Sequence, residues 1–173
     1  MFSSVVEREE YRFFRKIIWD ANLKIAMWVG LNPGTQNPLK EEAAVRVKRT
    51  GFGGVILVNI YPYVAYTVSD LKIWRNSFGK HIEYNSSDVF HENIDYVKDA
   101  IRGSSFSVAA WGAGLAGDGC ELYKRDIVTF LAFINGTKFY SFGVTQNGSP
   151  RNPSGRGKNK VKDNAVPQIW SRP

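Results

Sequence analysis

The amino-acid sequence predicts an α/β fold, a three-layer α/β/α sandwich around a central four-stranded, mainly parallel sheet. Three observations predict it. Short apolar runs of strand length alternate with stretches of helical period. The runs are apolar on successive residues, as strands buried on both faces require. Each run ends in residues that break regular structure, "GLNPG", "VNIYPY", "WGAG" and "FGVTQNGSP".

Taken in order, "SSVVEREEYRFFRKIIWD" has Val6, Phe13 and Ile17 at helical spacing, Ser3 or Ser4 as N-cap, acids early and bases late, and predicts a helix. "LKIAMWVGL" is the first strand. "KEEAAVRVKRTGFGG" predicts a helix stopped by Gly51. "VILVNIY" is the second strand, and residues 64–90 show no clean period and read as a long irregular excursion. "HENIDYVKDAIRG" predicts a helix, "FSVAAWGAG" the third strand, "ELYKRDIVTFLAFING" a further helix and "TKFYSFG" the fourth strand. No internal repeat is present.

Composition sets the function classes. The 173 residues are 43% hydrophobic with 11 Phe, 8 Tyr and 5 Trp, enough for one domain with its own core. No apolar run reaches membrane-spanning length, and the N-terminus lacks the order of a signal peptide, so a cytoplasmic, membrane-free protein is expected. A lone cysteine, Cys120, excludes an internal disulfide and any multi-cysteine metal site; His81 and His91 alone do not make a zinc set. Neither a metal nor a cofactor is expected. The glycines of "WGAGLAGDG", at 112, 114, 117 and 119, follow a later strand than a dinucleotide fingerprint requires. Net charge is +7, and residues 151–173 carry six Lys/Arg against one Asp. Such a segment attracts polyanions, nucleic acid foremost, or forms a solvated tail.

In parallel α/β sheets, ligands bind at the carboxyl ends of the strands. That rule selects four stretches. In "GLNPG", Gly30 and Gly34 allow close backbone approach, and Asn32 offers an amide that donates and accepts; a plain turn uses the same residues. Asn59 ends the apolar second strand, where a carboxamide needs partners, structural or from a ligand. "AAWG" ends the third strand. In "NPSGRG", Ser154 and backbone amides can grip a phosphate and Arg156 can reach a duplex, or the stretch is a flexible turn.

In this order, "GLNPG", the strand-ending Asn59, "AAWG" and "NPSGRG" resemble the motifs of the uracil-DNA glycosylase superfamily, nearest its mismatch-specific uracil/thymine branch. The chain also resembles, over most of its length, a family of uncharacterised bacterial and phage proteins with a Leu-Asn-Pro-Ser/Gly-Thr motif. The glycosylase resemblance implies that Asn32 holds the attacking water, with Gly30 and Leu31 beside it. Asn59 would read the flipped base, and Asn152, Pro153, Ser154 and Gly155 would grip the strand and support the departing base. Arg156 stands where that branch has an apolar wedge. Arg151, Lys158 and Lys160 would add phosphate contacts. The stacking aromatic has no direct match, leaving Phe52, Tyr61 and Tyr63 as candidates. Gly34 replaces the bulky aromatic of the uracil-specific branch, so the pocket would accept pyrimidines enlarged at C5. The expected partner is double-stranded DNA, bound by a monomer. Two other classes fit the same residues: a non-catalytic nucleic-acid binding module, and an α/β enzyme acting on free nucleotides. The His-x-Glu and Pro-Cys-x-x-Cys signatures of a zinc deaminase are absent.

Overall fold

The computed structural model describes residues 2–33, 38–79, 84, 86–113, 120–153 and 160–171. Its strands are β1 (Phe2–Arg8), β2 (Tyr11–Ile18), β3 (Ile25–Gly30), β4 (Gly54–Asn59), β5 (Phe106–Ala109), β6 (Phe139–Ser141) and β7 (Gln168–Trp170). Its helices are α1 (Pro38–Arg49), α2 (Val68–Ser77), α3 (Asp88–Arg102) and α4 (Cys120–Phe133). The strands form one sheet in the order β1-β2-β4-β3-β5-β6-β7.

The α/β class holds, but the sheet is mixed and seven-stranded rather than four-stranded. The four strands read from apolar runs, β4, β3, β5 and β6, pair in parallel at its centre. Antiparallel strands extend both sides: the β1–β2 hairpin beyond β4, and β7 beyond β6.

The hairpin corrects the expected N-terminal helix. Val5, Val6, Phe13, Phe14, Ile17 and Ile18 are β-branched or aromatic and favour a pleated surface. A register shift between Val6 and Glu7 breaks their alternation, which leaves a spacing that also fits a helix. The stretch 64–90 is not irregular throughout, because α2 lies within it. Thr67 and Asp70 close a reciprocal capping box at its start, the Thr67 hydroxyl accepting from Asp70 N and the Asp70 carboxylate from Thr67 N.

Helices cover both faces of the sheet. Met27, Val29, Ile56 and Val58 face a core shared with Leu71 and Trp74 of α2, Phe90, Ile94 and Val97 of α3, and Phe130 of α4. Ala26, Trp28, Val55 and Val108 face the other way, onto Ala43 and Val47 of α1 and Val161 of the C-terminal segment. This two-sided burial is why β3 reads as an uninterrupted apolar run; each large aliphatic buried contributes about 1.5–3 kcal/mol. Among the described residues, no helix is long and apolar enough to cross a membrane.

Candidate functional site

The carboxyl ends of β4, β3, β5 and β6 lie side by side along one edge of the sheet, so their loops share that edge. Gly30 and Asn59 are register partners at the last rung between β3 and β4. They are also in direct contact: a Cβ built on Gly30 would sit 2.6 Å from Asn59 Oδ1. The Asn59 side chain therefore lies across the face of Gly30, on the α1 side of the sheet. No residue other than glycine leaves it that space.

Past this rung the backbone pairing continues. Ile60 N donates to Gly30 O (3.0 Å), and Tyr61 N donates to Leu31 O (2.9 Å). Asn32 follows Gly30 by two residues, within about 7 Å of chain. It is half-buried and precedes the buried Pro33. Gly34 lies outside the described residues.

The other two strand ends meet in the same way. Gly112, just beyond β5, has a φ of 79°, and a Cβ there would come within 3.3 Å of the Asn152 Cβ. Asn152 thus packs onto the "AAWG" turn, and the buried Pro153 follows it. Trp111 is buried edge-on against Phe139 and Trp170.

Arg151, expected to contact DNA, also ties its own segment together. Its Nε donates to Val144 O (2.8 Å), while its backbone N donates to Gly143 O (2.8 Å). Its Nη1 reaches Lys160 O (3.5 Å), which joins the start of the C-terminal segment to a later part of it. Lys160 is exposed. Ser154, Gly155, Arg156 and Lys158 lie outside the described residues.

Two of the three stacking candidates, Phe52 and Tyr61, are corrected. Phe52 precedes β4 and packs on Phe106, which begins β5, so it belongs to the opposite edge of the sheet. Seven residues of extended chain put it about 20 Å from Asn59. Tyr63 is half-buried and stacks one face of its ring on Trp74, at 4.9 Å and 2°.

Tyr61 is wholly buried, and its hydroxyl donates to Asp126 Oδ2 (2.7 Å). Arg75 holds the same carboxylate in a fork, Nε to Oδ2 at 2.6 Å and Nη2 to Oδ1 at 2.9 Å. Burial, then the Asp126 charge, pushes the Tyr61 phenol well above its ordinary range. Burial pulls the Arg75 guanidinium down, but its bonds to Asp126 outweigh this and raise it. A phenol that stays protonated and a cation that stays charged, both out of solvent, form a clamp between α2, α4 and the end of β4.

Two further polar residues went unread in the sequence. Asn93 of α3 is wholly buried, and its Nδ2 donates to Asn59 O (2.9 Å) and Ile60 O (3.1 Å). The buried Tyr84 hydroxyl also donates to Ile60 O. A signal existed for Asn93: it falls at helical spacing within the apolar stripe of Val89, Phe90, Ile94 and Val97. Among the described residues, no cluster of three or more His, Cys, Asp or Glu is placed to hold a metal ion.

A family model described as "Protein of unknown function (DUF1643)" matches residues 12–154. No curated protein and no solved structure matches the chain.

Proposed function

The chain belongs to the DUF1643 family, and from the residues gathered at its carboxyl edge we propose that it is a monofunctional DNA N-glycosylase. It flips a modified or mismatched pyrimidine from the duplex and hydrolyses its N-glycosidic bond. One observation carries the reading: the Asn59 carboxamide, with a donor and an acceptor side by side, lies over a residue without a side chain, two residues from Asn32. The Asn-Pro pair at 152–153 packs onto the neighbouring strand end. This arrangement supports recognition of a base edge by Asn59 and placement of water by Asn32, as the resemblance to uracil-DNA glycosylases implies.

In this mechanism the bond from C1′ to the base nitrogen breaks with its electron pair leaving on the base, and a water oxygen bonds to C1′. The proton released passes to solvent or to the departed base. The unstacking that precedes it costs a few kcal/mol, offset by phosphate contacts and the pocket. Fixed dipoles that favour an anionic base beside a cationic sugar lower the barrier. Asn32 orients water but is no base near neutral pH, so turnover is slow or the base leaves easily. Gly34, where a bulky aromatic would exclude C5 substituents, favours thymine in a mismatch or the enlarged cytosines of some phage DNAs. The role is then DNA repair or antiphage defence.

The test is a panel of duplexes carrying uracil, mismatched thymine or modified cytosines, read as alkali-revealed strand breaks. Cleavage at one base type is expected, faster in Asn32→Asp and lost in Asn59→Ala. An unchanged rate in Asn32→Ala overturns the assignment. Salt-dependent binding with no abasic product would instead identify a binding module.

A further inference from the structure

We propose that Asn93 and Tyr84 are positioning residues that fix Asn59 and thereby set which base is read; the inference rests on the glycosylase reading of Asn59. Asn93 stands among Val89, Phe90, Ile94 and Val97 on the buried stripe of α3, where a carboxamide is costly unless bonded. Its Nδ2 faces three acceptors, Asn59 O, Ile60 O and, at 3.2 Å, the Tyr84 hydroxyl oxygen. The Tyr84 hydroxyl adds its own donation to Ile60 O, and the ring is held against Phe90 at 4.4 Å and 19°.

The end of β4 is thus gripped from two directions. The N–H groups of Ile60 and Tyr61 bond to Gly30 O at the end of β3 and to Leu31 O just past it, and the carbonyls of Asn59 and Ile60 bond to Asn93 and Tyr84. The bonds at Asn59 O and Ile60 N fix the peptide plane that follows Asn59, and the β3–β4 ladder, which runs to the Gly30–Asn59 rung, holds the plane before it, so the direction of the Asn59 Cα–Cβ bond is set. For Asn59 that direction leads over Gly30, on the face of the sheet opposite α3. Asn93 and Tyr84 do not share that face and act on the base through Asn59.

The orientation of Asn93 is itself determined. Turning its amide over would set Oδ1 against two carbonyl oxygens, acceptor against acceptor. As placed, Oδ1 is buried without a hydrogen-bond partner among the described residues. An apolar side chain would avoid that orphan oxygen but withdraw the donor from the Asn59 and Ile60 carbonyls, so what this Asn contributes is its grip on the end of β4.

The test compares Tyr84→Phe and Asn93→Asp with Asn59→Ala in the full-length protein. Tyr84→Phe removes one hydroxyl and keeps the ring stack, so it remains informative if Asn93→Asp fails to fold. The first readout is the Asn59 side-chain amide resonance, identified by its loss in Asn59→Ala. The second is the ratio of single-turnover excision rates for the best and next-best bases. In Tyr84→Phe the amide resonance is expected to move, and the ratio to fall about tenfold with DNA affinity kept within about twofold. A residue that merely stabilised the fold would lower the melting temperature and leave both readouts in place. An unmoved Asn59 resonance overturns the inference whatever the activity. An unchanged ratio in Tyr84→Phe, with discrimination lost in Asn59→Ala, overturns it while sparing the glycosylase reading. Excision of no base by the wild type overturns that reading and the base-selection part of this one.

Discussion

At Gly30 the missing side chain is what gives Asn59 its place. The atom a new Cβ would strike at 2.6 Å is Oδ1, the tip of a side chain able to swing aside. Gly30→Ala is therefore expected to keep the fold and displace the amide. Misplacement of about 1 Å at a reacting centre costs about a hundredfold in rate, so excision should fall by one to two orders of magnitude with little change in melting temperature. Gly53→Ala is the control, because its Cβ would strike the Asp20 backbone carbonyl, which cannot swing aside. That variant should lose stability, while the protein that remains folded excises normally; the reverse pattern would remove Gly30 from the site. The contact of Asn59 with Gly30 is foreshadowed in the sequence, because a carboxamide at the end of an apolar run is conspicuous. Phe52 and Tyr61 were misread because aromatic character does not reveal the edge or the layer a ring occupies. Tyr61 satisfies its hydroxyl on Asp126, a partner 65 residues away, and no local pattern announces it.

Among the elements, the four central strands were legible because burial on both faces writes an unbroken apolar run. The β1–β2 hairpin was not. Its register shift spoils the two-residue alternation, and its Glu9–Glu10 turn lacks the Asn-Gly or Asp-Gly signature of such turns. Glu9 has a φ of 53°, a left-handed conformation that costs a residue with a side chain about 1–2 kcal/mol. Glycine avoids most of that cost but loses more entropy on folding. Glu9→Gly is therefore expected to stabilise the protein by about 0.5–1 kcal/mol, measured as a higher urea midpoint with unchanged slope. The sign tests the element itself, since glycine within a helix over the same residues would destabilise by about 1 kcal/mol. α2 escaped notice because its capping box, Thr67 with Asp70, follows a tyrosine-rich loop without an apolar period. β7 is three residues long and sits in a basic stretch, where neither length nor pattern marks a strand.

For the whole molecule, the basic C-terminal segment belongs to the fold as well as to the charge distribution. Trp170 of β7 packs edge-on to Trp111, and its Nε1 donates to Gly148 O (2.9 Å). The buried Arg46 of α1 donates to Lys162 O (3.0 Å) and Val161 O (3.3 Å). Truncating the chain beyond Gly157 would therefore strip a strand from the sheet and leave Arg46 short of acceptors, so lost activity in such a variant would not separate charge from folding. Neutralising exposed side chains separates them. Lys160 and Lys162 are both exposed, and the bonds noted at these residues use their backbone carbonyls. Lys160→Gln with Lys162→Gln should leave the melting temperature within about 2 °C, since surface changes of this kind shift stability by about 0.5 kcal/mol or less. Each phosphate contact contributes about 0.9 to the slope of log affinity against log salt, so the double variant should flatten that slope by about 1.8. Binding to matched and mismatched duplexes should weaken equally, because phosphate contacts position the protein without reading sequence. A slope unchanged by both substitutions would place the nucleic-acid path elsewhere on the surface. Selective loss of the mismatched duplex would give these lysines a part in reading the base, which Asn59 alone is assigned.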